Sequence, residues 1–215
     1  QLLLELDEGR SVAVISDAGL PGISDPGQEL VAAARLSGCE VISIPGPCAA
    51  TTALVSSGLP SDRFCFEGFL PAKGRERRER LAFIASEQRT SVIYEAPHRL
   101  CQLLDELFEL CGEERPLQVA RELTKRHEQQ VGPTVGVARN HFQEHTPQGE
   151  CTVVLGGAVP VEIEALTDKQ CCEQLLALTA EGMSAKDAAK LLSSKIGRSK
   201  RELYALLHAE TEQAD

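Results

Sequence analysis

The sequence predicts an α/β fold in which two α/β domains are followed by an all-helical module. Two strand–loop–helix units in succession carry the prediction for the first domain. Residues 12–15 are apolar, end in a loop rich in Gly, Pro, Asp and Ser, and precede an apolar helical pattern at 30–34. Residues 41–44 repeat this arrangement before a helix predicted at 51–57. Two such units imply a parallel, doubly wound sheet within residues 1–66.

A second α/β domain is predicted at residues 67–158, after an irregular stretch at 58–74 with its domain junction near Glu67. The strands predicted in this domain span residues 91–94, 117–120, 127–131 and 152–155. Apolar residues at helical spacing predict a helix at 100–111, and Gly112 ends it.

A helical module is predicted at residues 165–210, where only helical periodicity remains. Its helices span residues 168–180, 184–194 and 199–208. Ser184 and Ser199 are the predicted N-caps. Basic residues on the last two helices favour a helix-turn-helix module, whereas acidic neighbours such as Asp187 favour a packing or oligomerisation bundle. The charge pattern leaves both interpretations open.

Composition is typical of a globular protein and argues against several classes. The 215 residues carry a net charge of −10, which argues against coating of nucleic acid by bulk electrostatics. No apolar run reaches the roughly 18 residues that a membrane helix needs, and no leader pattern is seen, so a cytoplasmic protein without a membrane partner is expected. The eight cysteines have no C-x-x-C spacing, so no metal site is predicted.

Two local groups of basic residues stand out against this acidic background. In residues 73–80 basic residues outnumber acidic ones, which favours a solvated helix start with internal ion pairs or, alternatively, an anion-binding surface. The second group, Arg121, Lys125 and Arg126, follows a predicted strand. Cations just beyond a strand end lie where α/β sheets bind ligands.

The loop at 16–27 is the first place where a bound ligand is expected. Ligands of α/β sheets lie outside the carboxyl ends of the strands, and glycines there let the backbone approach a ligand closely. Gly19, Gly22 and Gly27 lie in this loop. The loop at 45–50 follows the next predicted strand, so we expect it to contribute to the same site.

Seven short motifs occur in order along the chain. They are SDAG-x-P at 16–21, DPG at 25–27, PGPCA at 45–49, GLPSDRF at 58–64, EGFLP at 67–71, YE-x-x-HR at 94–99 and ARELTK at 120–125. In this order they resemble the ribosomal RNA small subunit methyltransferase I family, a cytidine 2′-O-ribose methyltransferase branch of the tetrapyrrole methylase superfamily. Residues 166–208 resemble the helical module at that family's C-terminus.

The resemblance implies a tetrapyrrole methylase-like enzyme with two α/β domains. Such an enzyme binds S-adenosylmethionine in the cleft between the domains and forms a homodimer. The family begins with a strand and a loop similar to Thr-Pro-Ile-Gly-Asn. Neither has a match here, so this first strand and loop are expected to be missing from the chain.

The resemblance also assigns cofactor contacts residue by residue. S-adenosylmethionine offers an adenine edge, ribose hydroxyls and an amino-acid end, which call for backbone polar groups and apolar walls. The residues expected to contact it are Asp17, Ala18, Gly19, Ile23, Pro47, Cys48, Ala49, Thr51, Tyr94, Leu123, Thr124, Cys151 and Thr152. Cys48 is expected to be a small apolar filler, while Cys151 and Thr152 are expected to contribute backbone groups.

Methyl transfer to a ribose hydroxyl is an in-line displacement, so holding the reacting atoms collinear supplies most of the catalysis. The hydroxyl must also lose a proton, and the candidate catalytic residues are Lys125, Glu95, Glu122 and His98. Lys125 is the first choice for a base, provided that its surroundings lower its pKa from about 10.4 towards neutrality. The alternative is that Glu95 with Arg99, and Glu122 with Lys125, form ion pairs that fix the loops.

The expected partner is RNA of the small ribosomal subunit, and no DNA partner is expected. The residues expected to contact RNA are Lys73, Arg75, Arg77, Arg78, Arg99, Arg121 and Arg126, together with the helical module. An acidic protein can bind RNA in this way because stacking and contacts to 2′-hydroxyls add to charge. Two alternatives remain: a C-methyltransferase of tetrapyrroles of the precorrin or uroporphyrinogen type, and a non-catalytic RNA-binding module.

Overall fold

The computed structural model describes residues 1–160, 166–180 and 182–211. The chain divides into two compact units, Gln1–Val159 and Pro160–Asp215. The first unit contains a sheet with helices, and the second is helical where it is described. The domain junction near Glu67 and the start of the helical module at residue 165 stay predictions.

Five strands form one sheet in the first unit. They are β1 (Phe64–Phe69), β2 (Thr90–Glu95), β3 (Leu117–Arg121), β4 (Gln129–Val131) and β5 (Cys151–Leu155). Their order across the sheet is β1-β2-β5-β3-β4, with β1 and β2 parallel and all other neighbours antiparallel. Strands β2 to β5 confirm the four strands predicted in this region. The sheet is therefore mixed.

Strand β1 lies in the stretch that was predicted to be irregular, so that prediction is wrong for residues 64–69. Its signal was the alternation of Phe64 and Phe66, because aromatic side chains at period two favour a strand. The alternation is interrupted at Gly68, whose φ of 61° lies in the left-handed region. That interruption made the segment resemble a loop.

The predicted strands at 12–15 and 41–44 are not formed in the part of the chain that the structure describes. The prediction of a parallel, doubly wound sheet in the first 66 residues is therefore wrong for this structure. A strand needs a neighbour for its backbone hydrogen bonds. No described segment pairs with either one, and their β-branched side chains remain accessible, with Ile15 86% and Ile44 74% exposed.

Six helices accompany the sheet within the described residues of the first unit. They are α1 (Leu2–Asp7), α2 (Gln28–Leu36), α3 (Ala49–Ser57), α4 (Arg75–Ser86), α5 (Pro97–Cys111) and α6 (Val135–Glu144). Helices α2, α3 and α5 confirm the helical patterns predicted at 30–34, 51–57 and 100–111. Helix α6 was not predicted, although Thr134 is an N-cap signal whose hydroxyl accepts a hydrogen bond from the Val137 N–H.

The sheet lies between two layers of helices, because successive side chains of a strand point to opposite faces. On one face, Val92 of β2 and Val154 of β5 pack against α3. On the other face, Ile93 and Val153 pack against α4, α5 and α6 and form the larger core. Neighbouring residues at the ends of β2 and β3 therefore lie on opposite faces of the sheet, one facing α3 and the other facing α4, α5 and α6.

The second unit confirms the three predicted helices, which are α7 (Asp168–Ala180), α8 (Ala185–Ile196) and α9 (Lys200–Thr211). Their core includes Leu175, Leu192 and Leu203. Both predicted N-caps are confirmed, because the hydroxyls of Ser184 and Ser199 accept hydrogen bonds from backbone N–H groups three residues further on.

Within the described residues, no helix is long and apolar enough to cross a membrane. The same residues contain no cluster of His, Cys, Asp and Glu that could hold a metal ion.

Candidate active site

The sheet face that packs against α3 brings four of the predicted cofactor residues together. Tyr94 of β2 pairs with Thr152 of the central strand β5, and both side chains share this face. Cys48, just before α3, and Leu123, just after β3, pack half-buried against the same hydrophobic cluster as Tyr94. The face therefore offers an apolar wall with a phenol and a thiol at its rim.

The phenol of Tyr94 is anchored to the start of α3. Its oxygen accepts a hydrogen bond from the Ala50 N–H at 3.0 Å and lies 4.0 Å from the Cys48 sulfur. Burial raises the pKa of Tyr94 to about 12, so its hydroxyl stays protonated at neutral pH.

The prediction that Cys48 is a small apolar filler stays a prediction, and Cys48 packs half-buried against the hydrophobic cluster. Burial of its thiol opposes ionisation, but the N–H groups of Thr51 and Ala50 outweigh burial and lower the pKa of Cys48.

The loop at 16–27 lies against the loop that precedes α3. Gly19 has a φ of 82°, and a Cβ built on it would be 3.2 Å from the carbonyl oxygen of Pro47. The Ser16 hydroxyl accepts a hydrogen bond from the Ala18 N–H at 3.2 Å and shapes the turn. The same hydroxyl donates to the Ala18 carbonyl at 3.3 Å, and Asp17, Ala18 and Gly19 are exposed residues. This contact places Gly19 next to Pro47, one residue before Cys48.

The remaining predicted cofactor residues differ in how exposed they are. Ile23, Ala49 and Thr51 are exposed on the loop and on the first turn of α3. Cys151 and Thr152 are buried in β5, which has a neighbouring strand on each side. Because such a strand directs its N–H and C=O groups to its neighbours, the structure disfavours the predicted backbone contribution of Cys151 and Thr152. The side chain of Cys151 also belongs to the core on the opposite face.

The loop between β3 and β4 is conformationally strained. Glu122 and Thr124 have φ values of 53° and 65°, which residues other than glycine seldom adopt. Side chains hold the loop in this shape, because Glu128 accepts a hydrogen bond from the Thr124 N–H and Glu122 accepts one from the Glu150 N–H. Backbone strain of this kind is concentrated at functional sites.

The surroundings of Lys125 disfavour it as the base, and that role stays a prediction. Its ammonium donates to Glu150 at 3.0 Å and to Glu122 at 3.1 Å. These two carboxylates raise the pKa of Lys125 instead of lowering it, and Glu150 has the larger effect. The Glu150 N–H and Lys125 in turn lower the pKa of Glu122. The alternative of a loop-fixing ion pair between Glu122 and Lys125 is confirmed.

Glu95 lies on the opposite face of the sheet from Tyr94 and is buried. Its carboxylate accepts hydrogen bonds from the Ala96 N–H at 2.9 Å and from Arg99 at 2.6 Å. A third, longer contact of 3.5 Å joins it to the Arg77 guanidinium. The ion pair between Glu95 and Arg99 is therefore confirmed. The same geometry argues against Glu95 as a base that meets substrate.

Arg77 was predicted to contact RNA, and the structure contradicts this. The side chain is only 2% exposed, and its guanidinium is bound to Glu106 at 2.7 Å and to the carbonyl oxygen of Pro71 at 2.9 Å. Arg99 is half-buried and donates to Glu95 and to the Leu70 carbonyl. By donating to the carbonyls of Pro71 and Leu70, Arg77 and Arg99 connect the segment after β1 to α4 and α5.

The other predicted RNA contacts are accessible to different degrees. Lys73, Arg75, Arg78 and Arg126 are exposed. Arg121 is half-buried, with its guanidinium held by Gln129 and by the Gln148 carbonyl. His98 is exposed in the first turn of α5.

Residues 1–138 match the family described as Tetrapyrrole (Corrin/Porphyrin) Methylases, which is more than half of the chain. The chain belongs to the tetrapyrrole methylase family. Residues 166–211 match the RsmI C-terminal HTH domain, which favours the helix-turn-helix interpretation of the helical module over a packing bundle.

Curated relatives cover most of the chain. A protein of Synechocystis sp. named "Ribosomal RNA small subunit methyltransferase I" is 47% identical over 206 residues, which is 96% of this chain and 74% of the relative. Proteins with the same name from Escherichia coli O157:H7 and Mycobacterium tuberculosis are each 43% identical, over 94% and 98% of this chain and 71% and 73% of the relatives. The predicted resemblance is confirmed.

Solved structures support the fold alone. The match to the methyltransferase CobJ has a TM-score of 0.55 at 23% identity, and it covers 73% of this chain and 68% of the CobJ chain. The cobalt precorrin-4 methyltransferase CbiF has a TM-score of 0.53 at 17% identity, with coverages of 72% and 67%. The tetrapyrrole methylase fold with a C-terminal helical module is thus confirmed, and the chain is a methyltransferase of a family that uses S-adenosylmethionine.

Proposed function

We propose that this protein transfers the methyl group of S-adenosylmethionine to the 2′-hydroxyl of a cytidine ribose in RNA of the small ribosomal subunit. The observation that carries the proposal is the meeting of Gly19, Pro47, Cys48, Tyr94 and Leu123 at one side of the sheet. The names of the relatives support RNA of the small subunit as the substrate.

The residues at this place fit the methyl donor. Backbone groups of the exposed residues Asp17, Gly19 and Ala49 can hydrogen-bond the adenine edge, the ribose hydroxyls and the amino-acid end. Tyr94 and Leu123 supply an apolar wall, and the exposed Thr124 follows Leu123 in the strained loop. The bound donor would supply an activated methyl group on a sulfonium. A residue with a side chain at position 19 would push against Pro47, so only glycine keeps the two loops this close.

Positioning is the main contribution that we propose for the protein. His98 remains a proposed acceptor for the proton of the ribose hydroxyl, since it is exposed and its ring has a nitrogen that can accept a hydrogen bond. Glu122 remains the second proposed acceptor, and its carboxylate, which is 18% exposed, would have to release Lys125 and the Glu150 N–H to take that proton. Lys125 is proposed instead to hold an RNA phosphate while it stays protonated. The exposed side chains of Lys73, Arg75, Arg78 and Arg126 would add further phosphate contacts.

We expect Lys125→Arg to keep at least about half of the methyl transfer activity, because a guanidinium at this position keeps the positive charge and can also bind a phosphate. The raised pKa of Lys125 means that its ion pairs are fully present below about pH 10.4 and are lost as the pH rises through that raised value. The pH profile of kcat/KM between pH 6 and 9 should therefore be the same for Lys125→Arg and the wild type. A loss of activity of about 100-fold or more in Lys125→Arg, with unchanged binding of the methyl donor, would restore the general base role.

The decisive experiment for the function is transfer of tritiated methyl groups to purified small ribosomal subunits. The expected product, after nuclease digestion, is 2′-O-methylcytidine. Labelling of a uroporphyrinogen or precorrin instead would show a tetrapyrrole C-methyltransferase. Binding of RNA without binding of S-adenosylmethionine, measured by isothermal titration, would show a non-catalytic RNA-binding module.

A homodimer in the cytoplasm is part of the proposal, on the ground of the family resemblance. Sedimentation velocity across a range of concentrations measures the mass in solution. A monomer that transfers methyl groups at full rate would contradict the homodimer.

A further inference from the structure

Strand β1 contains a bulge that changes the direction of its aromatic side chains. Phe66 pairs with Val92 and Phe69 with Tyr94, whereas only Gly68 lies opposite Ile93, so the register shifts between Phe66 and Gly68. Without the shift, residues three apart would point to opposite faces of the sheet. The extra residue instead places both phenylalanines on the face that carries Tyr94.

The two phenylalanines and Tyr94 form one aromatic cluster, which we call the aromatic platform. The rings of Phe66 and Tyr94 are 5.1 Å apart in an edge-to-face arrangement, and those of Phe69 and Tyr94 are 5.6 Å apart. Phe66 is 40% and Phe69 58% exposed. Large aromatic surfaces that remain exposed and are held rigid by their neighbours are typical of binding sites.

The aromatic platform is continuous with the candidate active site. Tyr94 belongs to both, since its hydroxyl accepts the hydrogen bond from Ala50 at the start of α3. A Cβ built on Gly68, in the bulge, would be 3.4 Å from the hydroxyl of Ser24 in the loop at 16–27. A substrate that reaches the active site across this edge of the sheet would therefore pass over Phe69.

The charges that surround the platform favour a polyanion with flat, apolar bases. The segment that leaves β1 directly after Phe69 carries the exposed cations Lys73 and Arg75, and Arg75 also forms an exposed ion pair with Glu79 at 2.6 Å. Arg80 is half-exposed and reaches back to the bulge, where it binds the Glu67 carboxylate at 2.6 Å. Exposed aromatic rings next to exposed cations are the combination with which proteins hold single-stranded nucleic acids.

We propose that the exposed ring of Phe69, which Tyr94 holds in place from one side, stacks against an unpaired base of the RNA substrate and so places its ribose at the active site. This inference rests on the proposed function. It assigns Phe69, the most exposed of the three rings, as a residue that determines how tightly RNA binds. Phe69 does not belong to the proposed cofactor contacts.

The test compares Phe69→Leu, Phe69→Trp and Phe83→Leu in the full chain. Leucine keeps an apolar side chain but cannot stack, whereas tryptophan stacks well. Phe83 is the matched control, because it is 56% exposed and lines a surface with Arg63 and Arg89, which precede β1 and β2, whereas Phe69 and Tyr94 lie at the other ends of these strands. The measurements are KM and kcat with small ribosomal subunits, and the Kd for a short, fluorescently labelled oligocytidine.

We expect Phe69→Leu to raise KM and the oligocytidine Kd about tenfold, because stacking on one aromatic side chain contributes about that factor. Phe69→Trp should restore both values, and Phe83→Leu should change neither. The Kd for S-adenosylmethionine and the sedimentation coefficient should be unchanged in all three variants.

Other outcomes would overturn the proposal. Weaker binding of S-adenosylmethionine by Phe69→Leu would assign the platform to the methyl donor, and a smaller mass in solution would assign it to an interface between two copies. An unchanged oligocytidine Kd in Phe69→Leu would rule out stacking even if the wild type methylates RNA. A wild type that binds oligocytidine through Phe69 but transfers no methyl group would contradict the proposed function and leave the platform supported.

Discussion

Gly19→Val is expected to weaken the binding of S-adenosylmethionine about tenfold or more and to lower the methyl transfer rate about 100-fold. The added side chain has two effects. It makes the φ of 82° unfavourable by about 1–2 kcal/mol, and its Cβ starts only 3.2 Å from the Pro47 carbonyl oxygen. The second effect separates the two loops that we propose to hold the methyl donor. Isothermal titration and the tritium transfer assay measure the two losses.

Gly22→Val is the matched control for Gly19→Val. Gly22 lies in the same loop and has a φ of 84°, but a Cβ built on it would meet no atom within 4 Å. Both variants should therefore lose similar stability, while only Gly19→Val should lose affinity for the methyl donor. Equal losses of affinity in the two variants would show that backbone conformation, and not the contact with Pro47, controls the site.

The sequence predicted the second half of the first unit better than its beginning. Strands β2 and β5 contain apolar runs and β3 alternates apolar with polar residues, and each of the three lies between two neighbouring strands. The segments at 12–15 and 41–44 have the same local pattern, but a strand also depends on a partner that local pattern does not report. The bulge at Gly68 hid β1 in a similar way, because it broke the alternation of its aromatic residues.

Within the candidate site, the sequence predicted which loops meet but not how their charges are paired. The order of the motifs was enough to expect Gly19 close to Pro47. The pKa of Lys125 was not predictable, because Glu150 is 25 residues away along the chain and reaches it only through the fold. Arg77 did carry a local signal: it stands at helical spacing with Leu81 and Ile84, which places it on the buried stripe of α4.

Glu95→Gln is expected to lower the free energy of unfolding by about 3 kcal/mol, because removal of one partner from a buried ion pair leaves the other charge without compensation. The Glu95 side chain is fully buried, and its carboxylate joins Arg99 of α5 to Arg77 of α4. Urea denaturation followed by circular dichroism measures the loss.

Glu79→Gln is the matched control, since Glu79 forms an exposed ion pair with Arg75 one helical turn away. Exposed pairs of this kind contribute about 0.5 kcal/mol or less, so this variant should unfold almost like the wild type. The comparison also separates the two roles considered for Glu95. If Glu95→Gln were as stable as Glu79→Gln but transferred no methyl groups, Glu95 would be a catalytic residue, and its burial opposite Tyr94 would have to change during the reaction.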